Sequence, residues 1–349
     1  MISTAHLDER KETTSPTLVV LTFFYNRAEV ALKSVRSVLD ALPANSLLIV
    51  VDDGSSDNLA ASLQELEEDQ RLVVKHQQNL GFTASLSKWT SEYIDKLNPT
   101  YIAIHGSGDK AHPEKFRKQI EYLENNLRAV AVGTSHRLIA GHSGAVVSSK
   151  ESKSDRKLDL TKTVPFTHGS VLYRSADFAA VGGYDTFFKY CQDWELYPRL
   201  CKRGDLHCLP DVLYDRYVMP DGVSQSTATK WKQLVYRDCA VAAAKDQELY
   251  LEKKRQIEEL GVEAVAFSPE AVRSYLGAQF TQILLGDFKT ALDWTDLLRA
   301  RIPRLRFSQT VLAGFLRLGR VTRCNLLVSS TYRAYRLMKS QFKRKPAQS

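Results

Sequence analysis

At 349 residues, with 44% hydrophobic and 25% charged side chains, the chain has the size and composition of a globular protein with one large domain and a smaller appendage. Its five cysteines (Cys191, Cys201, Cys208, Cys239 and Cys324) are odd in number and form no CxxC pair, which weighs against a disulfide framework or a zinc site and fits reduced thiols. No run approaches the roughly 18 apolar residues of a spanning helix, and the first sixteen residues lack the apolar core of a signal peptide, so a cytoplasmic location is expected.

Residues 1–16 read as a flexible polar tail. Leu18 to Leu21 then form a short apolar strand that runs into Thr22-Phe23-Phe24-Tyr25-Asn26-Arg27. Val30, Ser34, Val38 and Leu39 recur at helical spacing behind it, with Asn26 expected as the N-cap. The apolar run from Leu47 to Val51 has the length and β-branching of a buried strand and stops at Asp52, Asp53, Gly54, Ser55, Ser56 and Asp57. Two strands joined by a helix make one βαβ unit, and acidic residues past a strand's carboxyl end sit where open α/β sheets bind ligands. Phe23 and Tyr25 at the strand lip would stack a nucleobase, and Asp53 would accept from a ring N–H, as uracil, thymine and guanine all offer. The same residues also read as core aromatics and an ordinary Asp-Gly-Ser turn.

The stretches Phe24-Tyr25-Asn26-Arg27 and Val50-Val51-Asp52-Asp53-Gly54-Ser55-Ser56-Asp57 resemble the paired opening motifs of family-2 glycosyltransferases. The resemblance continues in order to about Ser224. It takes in Asn79-Leu80-Gly81-Phe82, Tyr101-Ile102-Ala103-Ile104, His112-Pro113-Glu114-Lys115-Phe116 and the strand around His168 to Arg174. Val181-Gly182-Gly183-Tyr184-Asp185 and Gln192-Asp193-Trp194-Glu195-Leu196 follow. It implies an α/β fold of the GT-A type, a Rossmann-like, mostly parallel sheet over residues 17–225, with a helical region over 226–349. It also implies an inverting enzyme that moves a sugar from a nucleoside diphosphate to a hydroxyl of a glycan or lipid-linked acceptor, in surface polysaccharide biosynthesis. By the same resemblance Phe23, Tyr25, Asn26, Arg27, Asp53, Gly81, Ser107, Asp109 and Arg174 line the sugar-nucleotide site, and Asp193 is the general base.

One departure bears on the cofactor. Where the family carries Asp-x-Asp for a divalent cation, Mn²⁺ or Mg²⁺, this chain reads Gly106-Ser107-Gly108 and then Asp109. Three readings stay open: Asp109 takes the metal; the N–H groups of the turn with Lys110 or Arg174 hold the diphosphate without metal; or the chain is an inactive GT-A-like binding or scaffold subunit. Gln192 stands where the family has Glu, which removes a like charge beside Asp193. Asp193 also reads as a helix-start acid, with Glu195 as the fallback base. His168 and His105 read as site or structural histidines.

Pro220 to Thr229 reads as the linker, Trp231 to Leu260 as one long helix, Ser268-Pro269-Glu270 as a helix start, and Leu284 to Phe288 as a turn between helices. From Leu297 onward there are thirteen Lys or Arg and no acid; the whole chain carries +8, so the first 296 residues carry −5. In that tail Cys324, Leu327, Thr331, Tyr335, Met338 and Phe342 share a helical face opposite Arg333, Arg336, Lys339 and Lys343. Such a helix suits an anionic membrane surface, here the inner face of the cell membrane, or packs on the domain with its basic face in water. Nucleic acid is not expected as a partner, because aromatics are absent from the basic face.

Overall fold

The computed structural model describes residues 15–140, 144–150, 164, 166–218, 227–265, 272–273, 275–277, 279 and 288–322. The chain divides into two compact units, Met1–Gly222 with Ala240–Gln247 and Val223–Cys239 with Glu248–Ser349.

The first unit is built on a nine-stranded sheet: β1 (Leu18–Phe24), β2 (Ser46–Asp52), β3 (Leu72–His76), β4 (Tyr101–His105), β5 (Lys110–Ala111), β6 (Ala129–Ala140), β7 (Val146–Lys150), β8 (Leu172–Arg174) and β9 (Asp205–Val218). The spatial order is β3-β2-β1-β4-β8-β6-β9-β5, with β7 on β6. β3, β2, β1 and β4 pair in parallel, β8 is antiparallel to both β4 and β6, and β6 and β9 are parallel again. The parallel character expected from the sequence therefore belongs to the first four strands, whose connections are long enough to carry helices.

The helices that accompany the sheet are α1 (Ala28–Ala41), the single-turn α2 (Leu59–Ser62) and α3 (Phe82–Leu97) in those connections, then α4 (Lys115–Asn125), α5 (Ser175–Ala180) and α6 (Gln192–Leu200). All residues of β1 and β2 are buried, as in a sheet covered on both faces. Leu18, Val20, Phe24, Leu48 and Val50 pack with Val35 and Val38 of α1 and with Phe116 and Leu123 of α4. Val19, Leu21, Phe23, Ile49 and Val51 pack with Leu86, Trp89 and Tyr93 of α3 and with Leu196 and Tyr197 of α6. Each such aliphatic side chain contributes about 1.5–3 kcal/mol by leaving water.

β1 has β2 on one side and β4 on the other, so the chain leaves it first one way and later the other. That reversal opens a crevice beyond the carboxyl ends of β1 and β4.

Further along the chain come α7 (Thr227–Lys245), α8 (Gln247–Leu260), α9 (Val262–Val265), α10 (Phe288–Arg301) and α11 (Arg306–Thr322). The single helix expected from Trp231 to Leu260 is two helices, interrupted at Asp246, a residue type that favours caps over helix interiors. Thr227 to Thr229, expected in the linker, already belong to α7. The rest of the linker, the Ser268-Pro269-Glu270 start, the Leu284 to Gly286 turn and the tail from Arg323 lie outside the described residues. Among the described residues no helix is long and apolar enough to cross a membrane.

Candidate active site

The crevice is built first from the loops after β1 and β2. Asn26 is not the expected cap of α1. Its backbone is left-handed, with φ at 51°, its N–H donates to Ser55 Oγ at 3.1 Å, and its Oδ1 accepts from Ser56 N–H at 2.7 Å. The cap comes instead from the other loop, where Asp57 Oδ2 accepts from Ala28 N–H at 2.7 Å. Arg27 occupies the N-cap position without a side-chain cap bond. The two motif loops are thus bonded to each other before any ligand arrives.

Asp53 is buried, and its Oδ1 accepts from Gln77 Nε2 at 2.6 Å, Leu80 N–H at 2.9 Å and Ser85 Oγ at 2.7 Å. It therefore fixes the Asn79-Leu80-Gly81 turn, in which Gly81 takes a φ of 80° to start α3. Asp52 faces elsewhere, accepting from Ser55 N–H and lying 3.0 Å from His76 Nδ1.

Of the two expected aromatic walls, Tyr25 is 52% exposed at the end of β1. Phe23 is not a wall. It is buried in the core, edge-on to Phe82 with centroids 5.9 Å apart. Odd-numbered positions of β1 face the α3 side, and Phe23 follows that alternation. Phe82, 45% exposed, is the ring that Phe23 supports, and the sequence reading missed it because it read Phe82 only as part of a turn motif.

After β4 the chain makes the turn Gly106-Ser107-Gly108-Asp109, with Ser107 half-buried at its middle. The Asp109 carboxylate points inward: Oδ2 accepts a short hydrogen bond from the Tyr214 hydroxyl, and Oδ1 accepts from Tyr217 N–H at 2.8 Å. Burial pushes its pKa up to about 6, against the pull of those two donors and the charges of Arg216 and Arg27. The N–H groups of the turn are also engaged, Gly106 with Tyr214 Oη, Gly108 with Ser34 Oγ, and Asp109 with Gly106 O. Beneath lie His105, whose Nε2 is 3.1 Å from Asp109 O and whose pKa burial drives down to about 3, and Lys115, fully buried and driven down to about 7.

Glycine is required here. A Cβ at Gly106 would overlap the Asp109 carboxylate and the Tyr214 hydroxyl, and Gly108 has a φ of 88° with Val30 Cγ2 only 2.9 Å from its missing Cβ. The residues present do not fit a divalent cation at this turn. Both Asp-x-Asp positions lack carboxylates, Asp109 has both oxygens engaged, and no cluster of three metal-ligating side chains exists among the described residues.

Arg174 is not brought to the site. β8 runs antiparallel to β4, which pairs Arg174 with Tyr101 at the opposite end of that strand. Its guanidinium donates to the carbonyls of Ala129 and Leu123. A strand's direction was not legible from its residues alone.

The start of α6 supplies the last element. Asp193 is half-buried in its first turn, and its Oδ1 accepts from Trp194 N–H at 3.0 Å. Its charge acts on His168 and on Tyr173, Tyr184 and Tyr197. His168 Nε2 lies 2.6 Å from Tyr184 Oη, and burial lowers the pKa of the imidazole despite Asp193. Glu195, two residues on, is buried in a bidentate pair with Arg199, which also donates to the Val181 and Gly183 carbonyls. One acid of this helix start therefore holds structure while the other remains available to solvent and ligand.

The sequence model described as Glycosyl transferase family 2 matches residues 19–179, the span that holds every strand edge of the crevice except β9. This segment is a family-2 glycosyltransferase domain. An uncharacterized glycosyltransferase of Haemophilus influenzae is 28% identical over 142 residues, 40% of this chain and 43% of that protein. TuaG of Bacillus subtilis, provisionally named a teichuronic acid biosynthesis glycosyltransferase, is 32% identical over 110 residues, 31% of this chain and 42% of the relative. The chain thus spans less than half the length of these two relatives. Among solved structures, S. aureus TarS 1-349 in complex with UDP-GlcNAc superposes with a TM-score of 0.52 at 14% identity, covering 91% of this chain and 92% of that one. The mannosyltransferase PcManGT of Pyrobaculum calidifontis, in complex with GDP-Man and Mn²⁺, gives 0.50 at 12% identity, covering 95% and 89%. The fold is GT-A-like.

Proposed function

We propose that the protein is an inverting glycosyltransferase that moves a sugar from a nucleoside-diphosphate donor to a hydroxyl of a glycan or lipid-linked acceptor in surface polysaccharide biosynthesis. The observation that carries this reading is Asp193, held at a helix start beside His168 and Tyr184 while Glu195 is spent on Arg199. Inversion needs a base on the acceptor face of the sugar, and a half-buried carboxylate whose neighbours are hydroxyls and a neutral imidazole meets that need. Asp193 takes the proton of the acceptor hydroxyl as its oxygen attacks the anomeric carbon. The nucleoside diphosphate leaves from the opposite face, toward the crevice beyond β1 and β4. Tyr25 and the Asp53-braced turn at Gly81 receive the base, and cationic side chains near the β4 turn offset the charge on the leaving diphosphate. Relatives and neighbours named for glycan assembly and crystallised with UDP-GlcNAc or GDP-Man support the donor class.

A second reading, a binding or scaffold subunit without transfer activity, is favoured by Gly106 and Gly108 at the positions of the missing carboxylates. The two separate on one experiment. Purified protein is incubated with a panel of sugar nucleotides, and nucleoside diphosphate release is followed with and without acceptor glycans. The enzyme reading expects release above the uncatalysed rate with at least one donor, abolished in Asp193→Asn. Tight nucleotide binding with no release from any donor identifies the scaffold.

A further inference from the structure

Whatever holds a diphosphate in the crevice must come from what borders the carboxyl ends of β1 and β4. The turn's own N–H groups are engaged at Gly106, Gly108 and Asp109, so a peptide nest is not the answer. Its one carboxylate is sequestered by Tyr214 and Tyr217, and Asp215, opposite Lys110 in the β5–β9 ladder, is taken by a bidentate pair with Arg137. The acids facing this turn from the paired strand are thus already engaged. Three bases border the same turn. Arg27 ends the β1 loop and Arg216 follows Asp215 on β9, and both lie near enough to Asp109 for their charges to act on it. Lys110 follows the turn directly, its Nζ 5.6 Å from the centroid of the Tyr217 ring and only partly buried.

Resting on the donor reading above, we infer that this chain binds the diphosphate of its donor directly through Arg27, Lys110 and Arg216, with no divalent cation, around a turn from which Tyr214 has withdrawn the only carboxylate. Guanidinium and ammonium groups supply the positive charge at fixed positions, and Arg offers a fork that matches two phosphate oxygens. Gly106 permits the arrangement, since any side chain there would push the Tyr214–Asp109 pair apart.

The test is calorimetric titration of the full chain with UDP, dTDP and GDP, in EDTA and in Mn²⁺. The inference expects the Kd for the bound nucleotide to agree within about twofold between the two buffers and to weaken steadily with salt. Lys110→Gln and Arg216→Gln should each weaken binding about tenfold, the loss of one charge-assisted contact. Binding that disappears in EDTA and returns with Mn²⁺ overturns the inference and leaves the donor reading standing. So do both charge variants binding as tightly as wild type. If none of the three nucleotides binds in either buffer, the donor reading fails and takes the inference with it.

Discussion

Asp193 and Glu195 stand two residues apart on one helix start, and their partners give them opposite tasks. Asp193→Asn keeps size and packing but removes the proton acceptor, so transfer should fall about 10²- to 10⁴-fold with nucleotide binding unchanged by titration. Near wild-type turnover in this variant would remove Asp193 from the mechanism. Glu195→Gln should act on the fold, costing about 2 kcal/mol in denaturant unfolding by weakening a charged hydrogen-bonded pair, with far less effect on rate per folded molecule. Lys115 gives a pH signature. Its pKa falls from 10.5 to about 7 on folding, because burial disfavours the ammonium. Between those values the unfolded chain binds the proton and the native chain does not, so stability rises with pH across the window. Lys115→Met removes the titrating group, and the wild-type Tm should climb relative to the variant from about pH 7 to about pH 10. Parallel curves would mean that Lys115 stays charged in the fold.

At the scale of elements, the loops after β1 and β2 lean on each other. Asp57 caps a helix 29 residues away, and Asp57→Ala should cost about 1 kcal/mol in chemical denaturation, the usual worth of such a cap. Gly169 lies against Tyr214, so Gly169→Ala should displace the hydroxyl from Asp109 and destabilise by about 1–3 kcal/mol, as overpacking does. An unchanged unfolding midpoint would show that Tyr214 moves freely. The strands and helices of the parallel half were legible because hydrophobic runs and turn residues are local signals, as at Leu47 to Val51 and Gly81. The partners were not. Tyr214 reaches Asp109 across 105 residues, and Arg174 is carried to the wrong end of the sheet by a strand direction that no residue pattern encodes. Phe23 is a different case, since the alternation along β1 that turns it toward α3 is a local signal.

For the whole molecule, charge is divided unevenly along the chain. The first 296 residues carry −5, and the remainder carries thirteen positive charges without an acid. The sheet and its crevice fall within the first unit, while the basic run belongs to the second. We propose peripheral attachment to the inner membrane face through this basic run. At about 1 kcal/mol for each Lys or Arg near an anionic surface, a few engaged charges suffice for attachment. Removing residues 320–349 should shift protein from vesicles containing phosphatidylserine to the supernatant in a sedimentation assay. Raising salt should do so in part, and equal sedimentation of both forms would rule out residues 320–349 as the anchor.

The overlap at Gly106 also restricts how this sequence can change. An acid introduced there alone meets the Tyr214–Asp109 pair, and removing that pair first strips partners from the Gly106 and Tyr217 N–H groups. Either order passes through a weakened intermediate, so placing paired acids at 106 and 108 faces sign epistasis. The glycine turn and Tyr214 therefore constrain one another, and the residue tolerated at 106 depends on a side chain 108 positions away.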